Sequence, residues 1–290
     1  MNYIKEYVEQ IEKGNIVVGE KVKKIYKKLL KESDDKRLPF YFDEEIGNRP
    51  IEFIETFCKQ AEGEIGNPIE LELFQKAYIQ ALFGFVYRDT GLRRFNETMF
   101  LVGRKNGKTT MLSAIALYMM IADGEGSAEC YSVATKKDQA SKAFKSACAM
   151  RSQSPEIRAL INKRRTDMYM PTTFSSFEPL SSDSDTLDGL NSQLVIIDEL
   201  HAIKDRNLYE VMKQSTSSRR QPLVVMITTA GTVRECIFDD MYDYANNVLD
   251  GIIKNESFLP VLYELDKKEE WKDIKCWQKA NPRARYYKTI

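Results

Sequence analysis

The chain has 290 residues, enough to bury one large hydrophobic core or two modest ones. Lysine plus arginine and aspartate plus glutamate both number 43, so the formal net charge is zero and any contact with a polyanion has to be local. Five cysteines without paired spacing and a single histidine argue against a zinc site or a disulfide framework and favour a reducing compartment. We find no pattern typical of a signal peptide or a membrane span.

Residues 1–62 are charged, with apolar residues at helical spacing from Ile16 to Leu30. Ile51, Ile54 and Phe57 predict a further amphipathic helix that ends near Gly63. We interpret residues 1–62 as a helical leader without chemistry of its own. We assign residues 63–255 to a core domain and residues 256–290 to a closing lid or linker segment.

A turn at residues 66–68 precedes an apolar stripe that predicts a helix reaching about Val86. Gln75 lies on this helix. A glutamine amide can pair with an adenine edge by donating one hydrogen bond and accepting another. The alternative is that Gln75 is a solvated helix residue.

Residues 99–110 predict an apolar strand, a small polar loop and a helix, which is the layout of a phosphate-binding P-loop. We call residues 103–109 the P-loop. Gly107 would form the tight turn, Lys108 would contact the β- and γ-phosphates, and the Thr109 hydroxyl would contact Mg²⁺. Only three residues separate Gly103 from Gly107, where the common pattern has four between its glycines. An ordinary basic turn is therefore the alternative.

Residues 129–135 predict the next strand, and Thr135 with Asp138 resembles a capping box at the start of a helix. The alternation of strands and helices predicts a parallel α/β sheet. Residues 151–165 contain a basic cluster, interpreted either as a solvated face or as a contact with DNA phosphates or a neighbouring subunit's nucleotide. Residues 168–177 predict a short hairpin, and residues 181–186 a flexible polar loop.

A second chemical centre lies at residues 194–199, where four apolar residues precede Asp198 and Glu199. Two carboxylates at the end of a buried strand are costly to desolvate, which favours a function for them. Asp198 would bind Mg²⁺ and Glu199 would polarise an attacking water. The alternative is that they cap the next helix. His201 could sense a γ-phosphate, contact DNA or form a local hydrogen bond.

Residues 223–231 predict a core strand that ends in hydroxyl side chains, Thr228 and Thr229. In a parallel sheet these lie beside the two carboxylates and could report on a γ-phosphate. The remaining predicted elements are helices over residues 206–218 and 236–249 and a strand over residues 258–265.

Together these motifs resemble the N-terminal packaging ATPase of the terminase large subunit of tailed bacteriophages. Four segments carry the resemblance: residues 103–110, 134–140, 195–202 and 227–231. It implies an α/β P-loop NTPase with a mostly parallel central sheet flanked by helices, an additional strand between the Walker A and Walker B motifs, and a helical leader.

The resemblance also implies ATP and Mg²⁺ as cofactors. Glu199 takes the catalytic role, Lys108 and Arg104 neutralise the phosphates, and Thr109 and Asp198 hold the metal. The implied nucleotide-binding residues are Gln75, Gly103, Arg104, Lys105, Asn106, Gly107, Lys108, Thr109, Thr110, Thr228 and Thr229.

The implied function is an ATP-driven motor that translocates double-stranded viral DNA into the procapsid. The implied partners are this DNA, the portal protein, the small terminase subunit and further copies in a ring, in the host cytoplasm and transiently on the portal. A ring implies an arginine finger supplied in trans. The candidates are Arg158, Arg164, Arg165, Arg206, Arg219 and Arg220.

Relatives usually continue into an RNase H-like nuclease domain, whereas this sequence stops at Ile290, so we expect no nuclease activity. Two alternative functions stay open. One is a helicase-like DNA-dependent ATPase, and the other is a nucleotide-binding assembly module with little intrinsic turnover.

Overall fold

The computed structural model describes residues 1–181, 187, 189–203, 206–229 and 236–283. The strands are β1 (Phe40–Phe42), β2 (Phe85–Tyr87), β3 (Glu97–Leu101), β4 (Glu129–Ala134), β5 (Asn162–Lys163), β6 (Met168–Met170), β7 (Ser175–Ser181), β8 (Ser192–Asp198), β9 (Leu223–Thr228) and β10 (Phe258–Leu262).

The α-helices are α1 (Tyr3–Glu12), α2 (Glu20–Asp34), α3 (Glu44–Phe57), α4 (Leu73–Gly84), α5 (Lys108–Ile121), α6 (Lys137–Gln153), α7 (Pro155–Leu160), α8 (Arg206–Gln214) and α9 (Ile237–Leu249). Short 3₁₀ helices cover Leu200–Ala202, Lys268–Lys272 and Ile274–Lys279. Within the described ranges, no helix combines the length and apolar character needed to cross a bilayer.

Eight strands form one sheet in the order β10-β3-β9-β8-β4-β7-β6-β5. Pairing is parallel from β10 to β7 and antiparallel at β7-β6 and β6-β5. All residues of β3, β8, β9 and β10 are buried, as expected when helices cover both faces of a parallel sheet. The predicted α/β class is therefore confirmed.

Strand β9 lies between β3 and β8, which is the additional strand between the two motif strands that the family resemblance implied. Leu101 of β3 is opposite Thr228 of β9, and Ile227 is opposite Asp198 of β8. The three strands therefore end at the same edge of the sheet. Helix α5 follows β3, and beyond its polar first turn it is almost entirely apolar, so residues 111–120 are buried in the core.

The helices predicted in residues 1–62 are present, together with the short strand β1, which pairs with β2. Helix α3 ends at Phe57 rather than near Gly63, because Cys58 is extended and Lys59 forms a β-bridge with Pro68. The Tyr7 hydroxyl lies 3.0 Å from the Tyr263 hydroxyl, so the first helix packs against the segment that follows β10.

The capping box predicted at Thr135 is wrong. The chain stays extended through Lys136, which is the residue before α6, and its side chain makes no capping hydrogen bond. The Thr135 hydroxyl instead lies 3.2 Å from the Gln139 amide oxygen. A box needs its two residues three apart across the first turn, and here the helix begins one residue too late.

Three other elements are shorter than predicted. Helix α8 ends at Gln214, α9 begins at Ile237 and β10 ends at Leu262. The hairpin predicted at residues 168–177 is confirmed as β6 and β7. Most of the polar loop predicted at residues 181–186, and the end of the predicted strand at residues 230–231, lie outside the described residues.

A buried ion pair joins Arg93, ahead of β3, to Asp123, after α5. Two hydrogen bonds of 3.2 and 3.0 Å connect the guanidinium to the carboxylate, and the side chains are only 3% and 5% exposed. Arg93 also donates to the Gln221 carbonyl, and Asp123 accepts from the Gln193 amide. This network fixes the edge of the sheet opposite the P-loop.

Asp123→Ala should lower the free energy of unfolding by about 3–5 kcal/mol, because it leaves a buried guanidinium without its counter-charge. Urea denaturation measures this directly. The matched control is Asp240→Ala, which removes an exposed pair with Arg206 and should leave the midpoint nearly unchanged. Equal midpoints for both variants would show that the buried pair does not stabilise the fold.

Candidate active site

The P-loop connects β3 to α5 with two residues in the left-handed region, Lys105 at φ 62° and Gly107 at φ 74°. A side chain at Gly107 would also bring its Cβ within 3.0 Å of the Gln75 amide nitrogen. Helix α5 begins directly afterwards, and its first backbone N–H groups have no partner within the helix. Such a concave loop with a helix amino terminus is a site for an anion.

Lys108, the first residue of α5, turns its ammonium group back under the loop. Its Nζ donates to the Val102 carbonyl at 3.2 Å. Burial lowers the pKa of Lys108, while the charges of Glu199 and Asp198 oppose that shift. The ammonium group is therefore within electrostatic reach of the two carboxylates.

Asp198 is the last residue of β8 and is buried. Burial, followed by the charge of Glu199, raises the pKa of Asp198, whereas Lys108 opposes the increase. The charges of these two adjacent carboxylates repel each other. Binding of a cation beside them is therefore favoured, because the cation relieves this repulsion.

Glu199 has a left-handed backbone, with φ 57° and ψ 50°, although it is not a glycine. Its N–H still donates to the Ile227 carbonyl at 3.0 Å, so the strained residue is held against β9. A left-handed non-glycine residue costs about 1–3 kcal/mol, and such strain is concentrated at active sites.

His201 connects the carboxylate centre to the end of β9. Its Nδ1 lies 3.2 Å from a Glu199 carboxylate oxygen and 2.9 Å from the Thr228 hydroxyl. The single hydrogen of the Thr228 hydroxyl can be donated to the Thr229 carbonyl at 2.9 Å or to a deprotonated Nδ1, so the tautomer of His201 decides the direction of the contact with Thr228. Of the three roles that the sequence left open for His201, the structure shows the local hydrogen bond.

A cleft of about 730 Å³ opens beside the P-loop, within the size range of small-molecule and cofactor sites. Its walls come from the segment before α4, from α4 and α5, from α6 and from Arg283. Gln75 lies in this wall. Its Oε1 accepts from the Glu72 N–H at 3.0 Å and its Nε2 donates to the Asn106 carbonyl at 3.4 Å.

The structure brings most of the predicted site residues together around the P-loop and the three strand ends. Arg104 and Lys105 are exposed, and Arg104 acts electrostatically on Lys108. Asn106 is buried, and its side-chain amide donates to the carbonyls of Gly103 and Arg104. The side chain of Asn106 therefore braces the loop.

Three cations in the cleft wall were missed by sequence reasoning: Lys142, Lys145 and Arg283. Lys142 also acts electrostatically on Asp198. The two lysines belong to a stripe with Ser146 and Ala149 at helical spacing on α6, a pattern that could have identified this wall.

Several arginine-finger candidates have partners within the chain. Arg164 pairs with Asp167, and Arg206 forms two ion pairs. Arg219 donates to three backbone carbonyls. Each would have to exchange these partners in order to reach a neighbouring subunit.

A parallel sheet with β9 between the two motif strands, a glycine-turned phosphate loop and paired carboxylates at the strand ends define a P-loop NTPase. A family model described as the terminase large subunit, ATPase domain, matches residues 73–247. The chain therefore belongs to the terminase large subunit ATPase family, and the resemblance seen in the sequence is confirmed.

The terminase large subunits of Lactococcus phages p2 and SK1 are each 22% identical to this chain over 290 residues, covering 97% of the chain and 52% of each relative. The crystal structure of the HK97 bacteriophage large terminase matches with a TM-score of 0.69 at 22% identity, covering 81% of this chain and 47% of that one. It shares the fold. The chain spans about half the length of these relatives.

Proposed function

We propose that this chain binds ATP with Mg²⁺ and hydrolyses it to translocate double-stranded viral DNA into a procapsid. The strongest support is that Lys108, the Asp198-Glu199 pair and Thr228 all lie at one edge of the sheet. Family membership supports an ATPase that serves phage DNA packaging.

The residues present fit a magnesium-bound nucleotide. Mg²⁺ prefers oxygen ligands, which the Thr109 hydroxyl and the Asp198 carboxylate supply, and when bound it would neutralise phosphate charge. Lys108 and Arg104 would neutralise the remaining charge. Glu199 would orient the attacking water and accept its proton.

The base and ribose would occupy the cleft beside the P-loop. A glutamine amide has two hydrogens and two lone pairs, so each end of Gln75 can take a further partner beyond those in the protein. This supports Gln75 as an adenine contact. The remaining predicted contacts are Gly103, Lys105, Asn106, Gly107 and Thr110.

Thr228 and Thr229 would couple hydrolysis to movement. Strand β9 lies between the two motif strands, and His201 joins Thr228 to Glu199. A change at the γ-phosphate would therefore be transmitted to β9 through the contacts that His201 makes with Glu199 and Thr228.

The proposed partners are duplex DNA, contacted at its phosphates, the portal protein, the small terminase subunit and further copies of this chain in a ring. The ring would act in the host cytoplasm and transiently on the portal. One arginine from a neighbouring copy would complete the site, a contribution of about three to five orders of magnitude in rate.

The test is ATP hydrolysis with Mg²⁺ in the presence of duplex or single-stranded DNA, at several salt concentrations and with portal-bearing procapsids. We expect stimulation by duplex that falls with salt, greater stimulation on procapsids, and DNA protected from nuclease inside the shell. Strand separation without DNA uptake would instead identify a helicase-like ATPase. ATP binding without turnover under every condition would identify an assembly module.

His201→Ala should lower the rate of ATP turnover between about tenfold and a hundredfold, because Glu199 loses the group that orients it. Nucleotide affinity should change little. His201→Asn, which can place an N–H near the position of Nδ1, should recover part of the rate. Wild-type turnover in His201→Ala would show that the contact with Glu199 has no catalytic role.

A further inference from the structure

Residues 280–283, here called the 280–283 segment, pack directly on the P-loop. The Gly103 N–H donates to the Ala280 carbonyl at 2.9 Å. The Asn106 side chain donates to the Asn281 amide oxygen at 3.2 Å and accepts from the Arg283 N–H at 3.1 Å. Three hydrogen bonds therefore join the phosphate loop to a segment about 175 residues away in sequence.

The close packing explains the glycine at position 103. Gly103 does not have a positive φ, so its backbone conformation does not require glycine. A Cβ at this position would lie 2.0 Å from the Asn281 amide oxygen and 3.0 Å from the Ala280 carbonyl. Glycine is needed at position 103 because the 280–283 segment occupies the space that a side chain would fill.

The same segment carries Arg283 to the edge of the nucleotide cleft. One guanidinium nitrogen lies 3.9 Å from where a Cβ on Gly107 would be, and Arg283 lines the cleft with Gln75. Its Nε is 3.6 Å from a Glu72 carboxylate oxygen, and the side chain is 43% exposed. An ion pair this long and this exposed is weak and is easily exchanged for a phosphate.

We propose that the 280–283 segment is part of the nucleotide site, with Asn281 bracing the P-loop through Asn106 and Arg283 donating to the phosphate chain of the bound nucleotide. The inference rests on the proposed ATP site and adds a cation from the far end of the described chain. A guanidinium presents a fork of donors that matches phosphate oxygens. A bound nucleotide therefore contacts the 280–283 segment through the Arg283 side chain.

The test is an equilibrium titration of a fluorescent ATP analogue with Mg²⁺ against purified, folded variants. Arg283→Gln should bind about tenfold more weakly than wild type, because a charge-assisted hydrogen bond is lost. Arg283→Lys keeps the charge and should recover most of the affinity. Arg37→Gln removes an arginine from an exposed ion pair on the connection between α2 and β1, and should bind like wild type.

Asn281→Ala should also weaken binding, since the 280–283 segment loses one of its contacts with the P-loop. Hydrogen exchange of the wild-type chain provides a readout that does not depend on any variant. Peptides covering the 280–283 segment should become more protected when nucleotide is added, and this gain should be absent in Lys108→Ala.

Two failures are distinguishable. If Arg283→Gln binds as tightly as wild type while Lys108→Ala binds at least a hundredfold more weakly, or if exchange of the segment is unchanged by bound nucleotide, the inference is wrong and the ATP site stands. If the folded wild-type chain does not bind the analogue, both the ATP site and the inference are overturned.

Discussion

Lys108→Ala is expected to weaken ATP binding by about a hundredfold or more, because it removes a cation that would form charge-assisted hydrogen bonds to two phosphates in a partly buried site. In the structure this ammonium group donates to the Val102 carbonyl and is attracted by the charges of Asp198 and Glu199. Titration with a fluorescent ATP analogue measures the effect.

The matched control is Lys254→Ala, which removes an exposed lysine between α9 and β10. Its affinity should equal that of wild type. Both variants should remain folded by circular dichroism. Wild-type affinity in a folded Lys108→Ala variant would exclude the P-loop as the phosphate site.

Glu199→Gln should reduce ATP turnover by about two to four orders of magnitude while leaving binding nearly unchanged. Glutamine keeps the size of the side chain and its reach toward His201, but it cannot accept a proton from water. Phosphate release at saturating ATP, with binding measured separately, tests this.

Glu9→Gln makes the same chemical change on α1, where Glu9 pairs with the exposed Lys13, and should turn over at the wild-type rate. If Glu199→Gln keeps full activity, another group activates the water. If it loses binding as well as turnover, Glu199 acts mainly in holding the nucleotide.

The chemical centres were predictable because each is a short local pattern. The P-loop needs only a strand, two glycines and Lys108 in order, and the second centre needs only four apolar residues before Asp198. Each pattern also comes directly after an apolar segment that predicts a buried strand. Because parallel strands end at the same edge of a sheet, the two centres are expected at one edge. The order of β3, β9 and β8 came from the family resemblance.

The contacts around these centres could not be predicted, because they join residues distant in sequence. Arg283 reaches Asn106 across 177 residues, and His201 reaches Thr228 only when β8 and β9 pair. The start of α6 was misjudged for a local reason, since Lys136 is extended and the helix begins only at Lys137. The sequence therefore predicted the residues of the two candidate centres but not the long-range contacts around them.

The most direct test of the account is a crystal structure of this chain with Mg²⁺ and a non-hydrolysable ATP analogue. The account predicts phosphates within hydrogen-bonding distance of Lys108 and the first N–H groups of α5, with metal density beside Thr109 and Asp198. The adenosine should lie in the cleft beside Gln75. Nucleotide bound elsewhere, or a P-loop that stays empty at saturating analogue, would contradict it.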